Sequence, residues 1–276
     1  MRRVSLDGGR QLAYAEYGRP DGPPVVFLHG TPGSRLLGRL LEPAASDLGL
    51  RVLAPDRPGY GRSSPWPERS VRDAEAFLTP VLDDAGVESA GVVAFSGGAP
   101  YALAAAASRP DRIDRLDIVS GATPPDVSEE TPAIQRLLAR LATTTPTALR
   151  GLFRGQAWLA SRLDPSFVLA QYTDDADSIP DSAAETVRTD FVEAFADSRR
   201  GAVAEFRHTA EDWGVRFEDV DADVCFRHGE ADTNVPIADA RRLEKRVPNA
   251  EFHALDDADH LQALLRSIPD VLDGHR

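Results

Sequence analysis

The sequence predicts an α/β fold, with a mostly parallel sheet of eight strands flanked by helices and one all-helical insertion. Three observations predict it. Short apolar runs alternate with stretches of helical period along most of the chain, as strand–helix units do. Several of those runs are apolar throughout, the pattern of strands buried on both faces. Between residues 123 and 213 the strand runs stop while helical periodicity continues.

In order, residues 3–6 and 12–17 read as the first two strands, joined at Asp7-Gly8-Gly9, a hairpin signal. Val25-Val26-Phe27-Leu28 follows Gly22-Pro23-Pro24 and reads as a buried strand. A helix over 35–48, a strand over 51–54, a helix over 71–85, a strand over 91–95, a helix over 100–108 and a strand over 115–119 follow. Within the insertion, Ile134, Leu137, Leu138 and Leu141 fit i, i+3, i+4, i+7. Leu149, Leu152, Phe153, Ala157, Ala160 and Leu163 fit a second helix. Ala184, Val187, Phe191 and Phe195 fit a third, and Val203, Phe206, Ala210 and Trp213 a fourth. The strand–helix series resumes with strands over 224–227 and 251–255 and helices over 239–247 and 261–272. The expected organisation is a core in two parts, 1–122 and 214–276, around a helical segment, 123–213.

Composition narrows the function. A chain of 276 residues, 42% hydrophobic, holds a sizeable core and is no disordered segment. No window approaches the ~18 apolar residues of a membrane span, and the N-terminus shows no apolar secretory stretch. The single cysteine, Cys225, forbids an intrachain disulfide and a cysteine-rich metal cluster. A cytoplasmic location is expected. The charge of −13 argues against a nucleic-acid partner. Lys245 is the only lysine, and aspartate outnumbers glutamate 29 to 15. Such an acidic, lysine-poor chain resembles proteins of salt-accumulating cells; GC-rich codon usage explains the arginine but not the charge deficit.

Four places carry chemistry. Ala94-Phe95-Ser96-Gly97-Gly98 stands where a buried strand meets a helix. A serine on so tight a turn projects its hydroxyl off the sheet, and the N–H after it points at whatever the hydroxyl attacks. His228-Gly229-Glu230-Ala231-Asp232 places an aspartate after the penultimate strand, and Asp257-Ala258-Asp259-His260 a histidine after the last. The C-terminal ends of parallel strands share one edge, so Ser96, Asp232 and His260 can converge there. His29-Gly30-Thr31-Pro32-Gly33 follows the strand at 25–28. Acyl transfer needs two donors for its oxyanion, each worth roughly 10²–10³ in rate. Gly97 N–H and Thr31 N–H are placed for this, Pro32 has no N–H to give, and His29 and Gly30 organise the loop.

With Asp56-Arg57-Pro58-Gly59-Tyr60-Gly61-Arg62-Ser63-Ser64, these segments resemble the α/β-hydrolase family from about Arg3 to Leu272. The resemblance implies the α/β-hydrolase fold with a helical cap, Ser96 as nucleophile, His260 as general base and Asp232 as orienting acid. Asp126, after the preceding strand, is the alternative acid. Ala94 stands where the family has glycine, and Ser96 departs from the aspartate nucleophile of its dehalogenase and epoxide-hydrolase branches. The His-Gly-x-Pro-Gly loop is shared with the proline-iminopeptidase-like branch, which binds a substrate amine through acidic cap groups. Glu185, Glu193 and Glu205 are the candidates here, although on amphipathic helices such residues are commonly solvated. The turn at 56–59 is expected to serve structure rather than chemistry.

The reading is a serine hydrolase of a small-molecule acyl substrate, an ester, amide or related compound, requiring no cofactor and no metal. A ligand-binding or signalling protein on the same fold, and an acyltransferase or cofactor-free peroxidase using the same residues, are the alternatives. The sequence fixes neither the substrate nor the oligomeric state.

Overall fold

The computed structural model describes residues 1–129 and 131–276. One sheet holds β1 (Arg2–Leu6), β2 (Arg10–Gly18), β3 (Pro24–Leu28), β4 (Arg51–Pro55), β5 (Gly91–Phe95), β6 (Arg115–Val119), β7 (Asp223–Gly229) and β8 (Ala250–Leu255). Their order is β1-β2-β4-β3-β5-β6-β7-β8. Only β2 breaks the parallel arrangement, pairing antiparallel with β1 and β4. The pairings from β4 through β8 are parallel, so those strands all end at one edge.

The pleat divides the apolar runs between two cores. Val25 and Phe27 of β3, with Val93 and Phe95 of β5, face α1 (Glu42–Leu48) and α10 (His260–Asp273). Val26, Leu28, Val92 and Ala94 face α2 (Glu75–Asp84), α3 (Ala99–Ser108) and α9 (Ile237–Glu244). Residues of α3 from Ala99 to Ala106 are all buried, and its alanines let it lie close to the sheet.

Between β6 and β7 come α4 (Ala133–Thr144), α5 (Pro146–Ala160), α6 (Ser166–Leu169), α7 (Asp181–Ala194) and α8 (Arg200–His208), with no strand among the described residues. Phe153 of α5 stacks on Phe195 and Phe206, with centroids 5.2 and 5.7 Å apart. This cluster is continuous with the core on the α1–α10 face.

Several expected helices differ in extent. The stretches at 35–48 and 71–85 each open as a 3-10 turn before becoming α-helical, the first restarting at Pro43 in the first turn of α1. α5 stops at Ala160 and leaves Leu163 exposed. α8 stops at His208, because Trp213 belongs to the opposite core, edge-on to Phe217. In α4 the deepest residues are Ala139 and Ala142, whereas Ile134 and Leu137 are exposed. The one-turn α6 was not expected, four residues being too few for a periodic signal.

Candidate active site

Ser96 leaves β5 at φ +51, in the left-handed region where a side chain is strained. It opens the turn Ser96–Gly98 that feeds α3. The turn tolerates no bulk behind it. A Cβ on Gly97 would lie 2.7 Å from Thr31 Cβ and 3.2 Å from Thr31 N, and one on Gly98 2.6 Å from Leu28 O. The glycine after Ser96 therefore lets the turn lie close against Thr31.

His260 begins α10, whose N-cap is Asp259 in a capping box with Gln262. Its ring is 1% exposed and lies between Phe95, 4.9 Å away, and Tyr172, stacked at 6.4 Å. His260 Nδ1 donates to Asp232 Oδ2 at 2.8 Å. Asp232 Oδ1 accepts from the N–H groups of Asn234 and Val235, both at 2.9 Å, so the carboxylate is fixed from both sides. Burial alone would raise the Asp232 carboxyl; His260 and the other donors hold it below its ordinary value. His228, buried beneath it, donates from Nε2 to Val235 O. Asp126 is far from this arrangement in its bonding, exposed and paired with Arg246.

The loop after β3 is held from below. His29 Nδ1 donates to Gly30 O at 2.7 Å, and Nε2 accepts from Arg57 N at 3.2 Å. Burial and the Arg57 guanidinium push this imidazole well below its usual pKa, leaving it neutral. Arg57, fully buried, donates to the carbonyls of His29 and Gly30 and to Thr31 Oγ1. It also grips Glu205 of α8 with two bonds, 2.8 and 2.7 Å. Arg69 Nη2 and Tyr60 OH donate to the same carboxylate at 2.7 and 3.0 Å, and Thr31 Oγ1 at 2.5 Å. Burial would raise the Glu205 carboxyl, but Arg57 and Arg69 hold it below the usual carboxylate range. Glu205 is thus buried and paired, against the expectation that it is solvated. Of the other two candidates, Glu185 is exposed beside Arg188, and Glu193 meets Arg35 and Arg62.

A cavity of about 470 Å³ opens over Ser96, Gly97, Thr31 and His260. Residues 29 and 30 lie under its floor rather than on it. His208, undecided from sequence, lines it with both ring nitrogens bonded, to Tyr101 OH and Arg69 O. Burial, then Arg69, pushes it down to about 4. Sequence reasoning missed Tyr172, which covers the His260 ring, and the part of Arg57. The only signal for Arg57 was its place in the 56–64 motif; its partner Glu205 lies 148 positions away. Among the described residues no three His, Cys, Asp or Glu side chains are grouped to hold a metal ion. No helix there is long and apolar enough to cross a membrane.

The chain is similar to known proteins. The family model described as alpha/beta hydrolase fold matches residues 23–266. A 2-hydroxy-6-oxononadienedioate/2-hydroxy-6-oxononatrienedioate hydrolase of Cupriavidus pinatubonensis is 27% identical over 90% of this chain and 86% of its own. An uncharacterized hydrolase of Bacillus subtilis is 32% identical over 45% of this chain, which spans 42% of that relative. Among solved structures, the enol-lactonase from Burkholderia xenovorans superposes with a TM-score of 0.76 at 20% identity, covering 99% of this chain and 98% of that one.

Proposed function

The chain belongs to the α/β-hydrolase fold family and is an enzyme of that type; from this premise we propose that it is a serine hydrolase cleaving a small ester, amide or related acyl substrate through an acyl-enzyme on Ser96. The observation that carries the reading is the His260–Asp232 pair opening on the same cavity as a serine at a strained strand–helix turn. Ser96 Oγ attacks the carbonyl carbon while His260 Nε2 takes its proton. Asp232 holds the Nδ1–H tautomer and stabilises the imidazolium. The N–H groups of Gly97 and Thr31 receive the oxyanion. Collapse expels the leaving group, which takes the proton back from His260. A water then repeats the sequence on the acyl-enzyme, releasing acid and free Ser96.

Residues 123–213 act as a cap on a core formed by 1–122 and 214–276, contributing Tyr172, Glu205 and Phe206 to the cavity wall. Glu185, Glu193 and Glu205 all have arginine partners, so none of these three is left to hold a substrate amine. The lone, buried cysteine agrees with a cytoplasmic setting. The test is a panel of esters and aminoacyl amides, run beside a fluorophosphonate probe. Turnover of an ester and labelling lost in Ser96→Ala are expected; labelling that persists in the variant overturns the assignment. Product analysis with added alcohol separates hydrolysis from acyl transfer.

A further inference from the structure

We propose that the cavity over Ser96 rejects acyl substrates bearing a carboxylate in favour of uncharged ones of the same length. The chemistry rests on the serine-hydrolase reading; the choice between substrates rests on the charges around the cavity. Its described lining holds three carboxylates, Asp174, Glu205 and Asp239, and no lysine or arginine. The cations nearest to it are already engaged. Arg57 and Arg69 stand behind the wall with fully buried side chains. Arg57 directs its N–H groups at Glu205, at the carbonyls of His29 and Gly30 and at Thr31 Oγ1. Arg69 directs Nη2 at Glu205 and Nη1 at Trp66 O; its Nε has no partner among the described residues but is buried away from the cavity surface. These two arginines exceed Glu205 by one positive charge, but it lies beneath the Thr31 loop, where it favours an oxyanion on any substrate alike.

At the other wall, Arg242 is bound to Asp239, Glu129 and the Val127 carbonyl. Asp174, exposed at the rim, has no cationic partner among the described residues. The remaining surface is uncharged, with hydroxyl and amide groups of Thr123, Thr131 and Gln135 beside apolar Ile134, Leu138 and Trp213. A substrate carboxylate entering here loses water and gains no counter-ion, while Asp174, with no cation paired to it among the described residues, stands at the rim of its route. Desolvating an unpaired charge is costly enough to reject it by on the order of 100-fold or more.

Two esters matched in length test this: 4-nitrophenyl hexanoate and the 4-nitrophenyl half-ester of adipic acid, which differ by a terminal methyl against a carboxylate. The expected kcat/KM favours hexanoate by about 100-fold, both at 0.1 M and at 1 M KCl. At 1 M the Debye length is only ~3 Å, so a preference that persists there belongs to the cavity. Calorimetry on Ser96→Ala with hexananilide and adipic monoanilide is expected to give the same order of affinities. Ile134→Arg, placing a cation at an exposed lining position, is expected to narrow the ratio about tenfold. Equal kcat/KM, equal affinities, binding of neither anilide, or a preference that vanishes at 1 M KCl overturns the proposal. If neither ester is turned over and Ser96 takes no fluorophosphonate, the serine-hydrolase reading fails, and the anilide affinities alone decide the proposal.

Discussion

Asp232 has both carboxylate oxygens bonded and its position fixed by the loop into α9. Asp232→Asn is therefore expected to keep the fold and disturb the tautomer, lowering kcat by roughly 10⁴. Steady-state kinetics decide it: near-normal activity, with loss instead in Asp126→Asn, moves the acid to Asp126. Glu205 has a different part. Glu205→Gln removes the negative charge between Arg57 and Arg69 and leaves two buried cations without it. Breaking a buried pair from one side costs about 3–5 kcal/mol, a fall in Tm on the order of 10 °C for a chain of this size. Because Arg57 also bonds the carbonyls preceding Thr31, kcat should fall with it while KM changes little. An unchanged melting curve contradicts this account. Ser96, Asp232 and His260 were legible because each follows a strand within a short motif. Arg57, Glu205 and Tyr172 were not, because their partners lie far off in the chain and a carboxylate on an amphipathic helix gives no sign of its burial.

Among the elements, α7 ties the helical segment to the loop after β3. Its Asp190 accepts from Ser34 N at 2.9 Å, Ser34 Oγ at 2.6 Å and Leu37 N at 2.9 Å, holding the start of the 3-10 turn Arg35–Leu41. Burial, with Asp56 nearby, pushes this carboxyl up to about 7, against the pull of the Ser34 bonds. In the unfolded chain the group titrates near ~4, so between about 4 and 7 the folded state binds the extra proton. Its contribution is then fully present at acid pH and is lost as pH rises to 7. Asp190→Asn retains an acceptor and carries no charge. The Tm of the variant relative to the parent protein is expected to climb from pH 5 to pH 8; parallel pH profiles contradict it. The eight strands were legible as short apolar runs bounded by turn residues, and their number survives in the sheet. Helix ends and inward faces were less so. Apolar spacing treats Ile134 and Ala139 of α4 by size, whereas the structure buries the alanine and exposes the isoleucine.

For the molecule as a whole, 44 acidic against 31 basic side chains set a self-repulsion that salt screens. The Debye length falls from ~10 Å at 0.1 M to ~3 Å at 1 M. Tm and retained activity are expected to rise between ~0.1 M and a few molar KCl. A flat melting temperature across that titration leaves codon usage as the source of the composition. Sequence sufficed for the convergence of the site because a parallel sheet carries the ends of β3, β5, β7 and β8 to one edge whatever the charge outside. The substrate was not legible, since the cavity wall is assembled from loops and helices whose inward residues carry no common pattern. The central claim is an acyl-enzyme on Ser96, and intact-protein mass measured on a rapidly acid-quenched ester reaction tests it most directly. The account predicts an adduct of the acyl mass that peptide mapping places on Ser96 and that Ser96→Ala lacks. Ester turnover undiminished in Ser96→Ala, or an adduct on another residue, would contradict it.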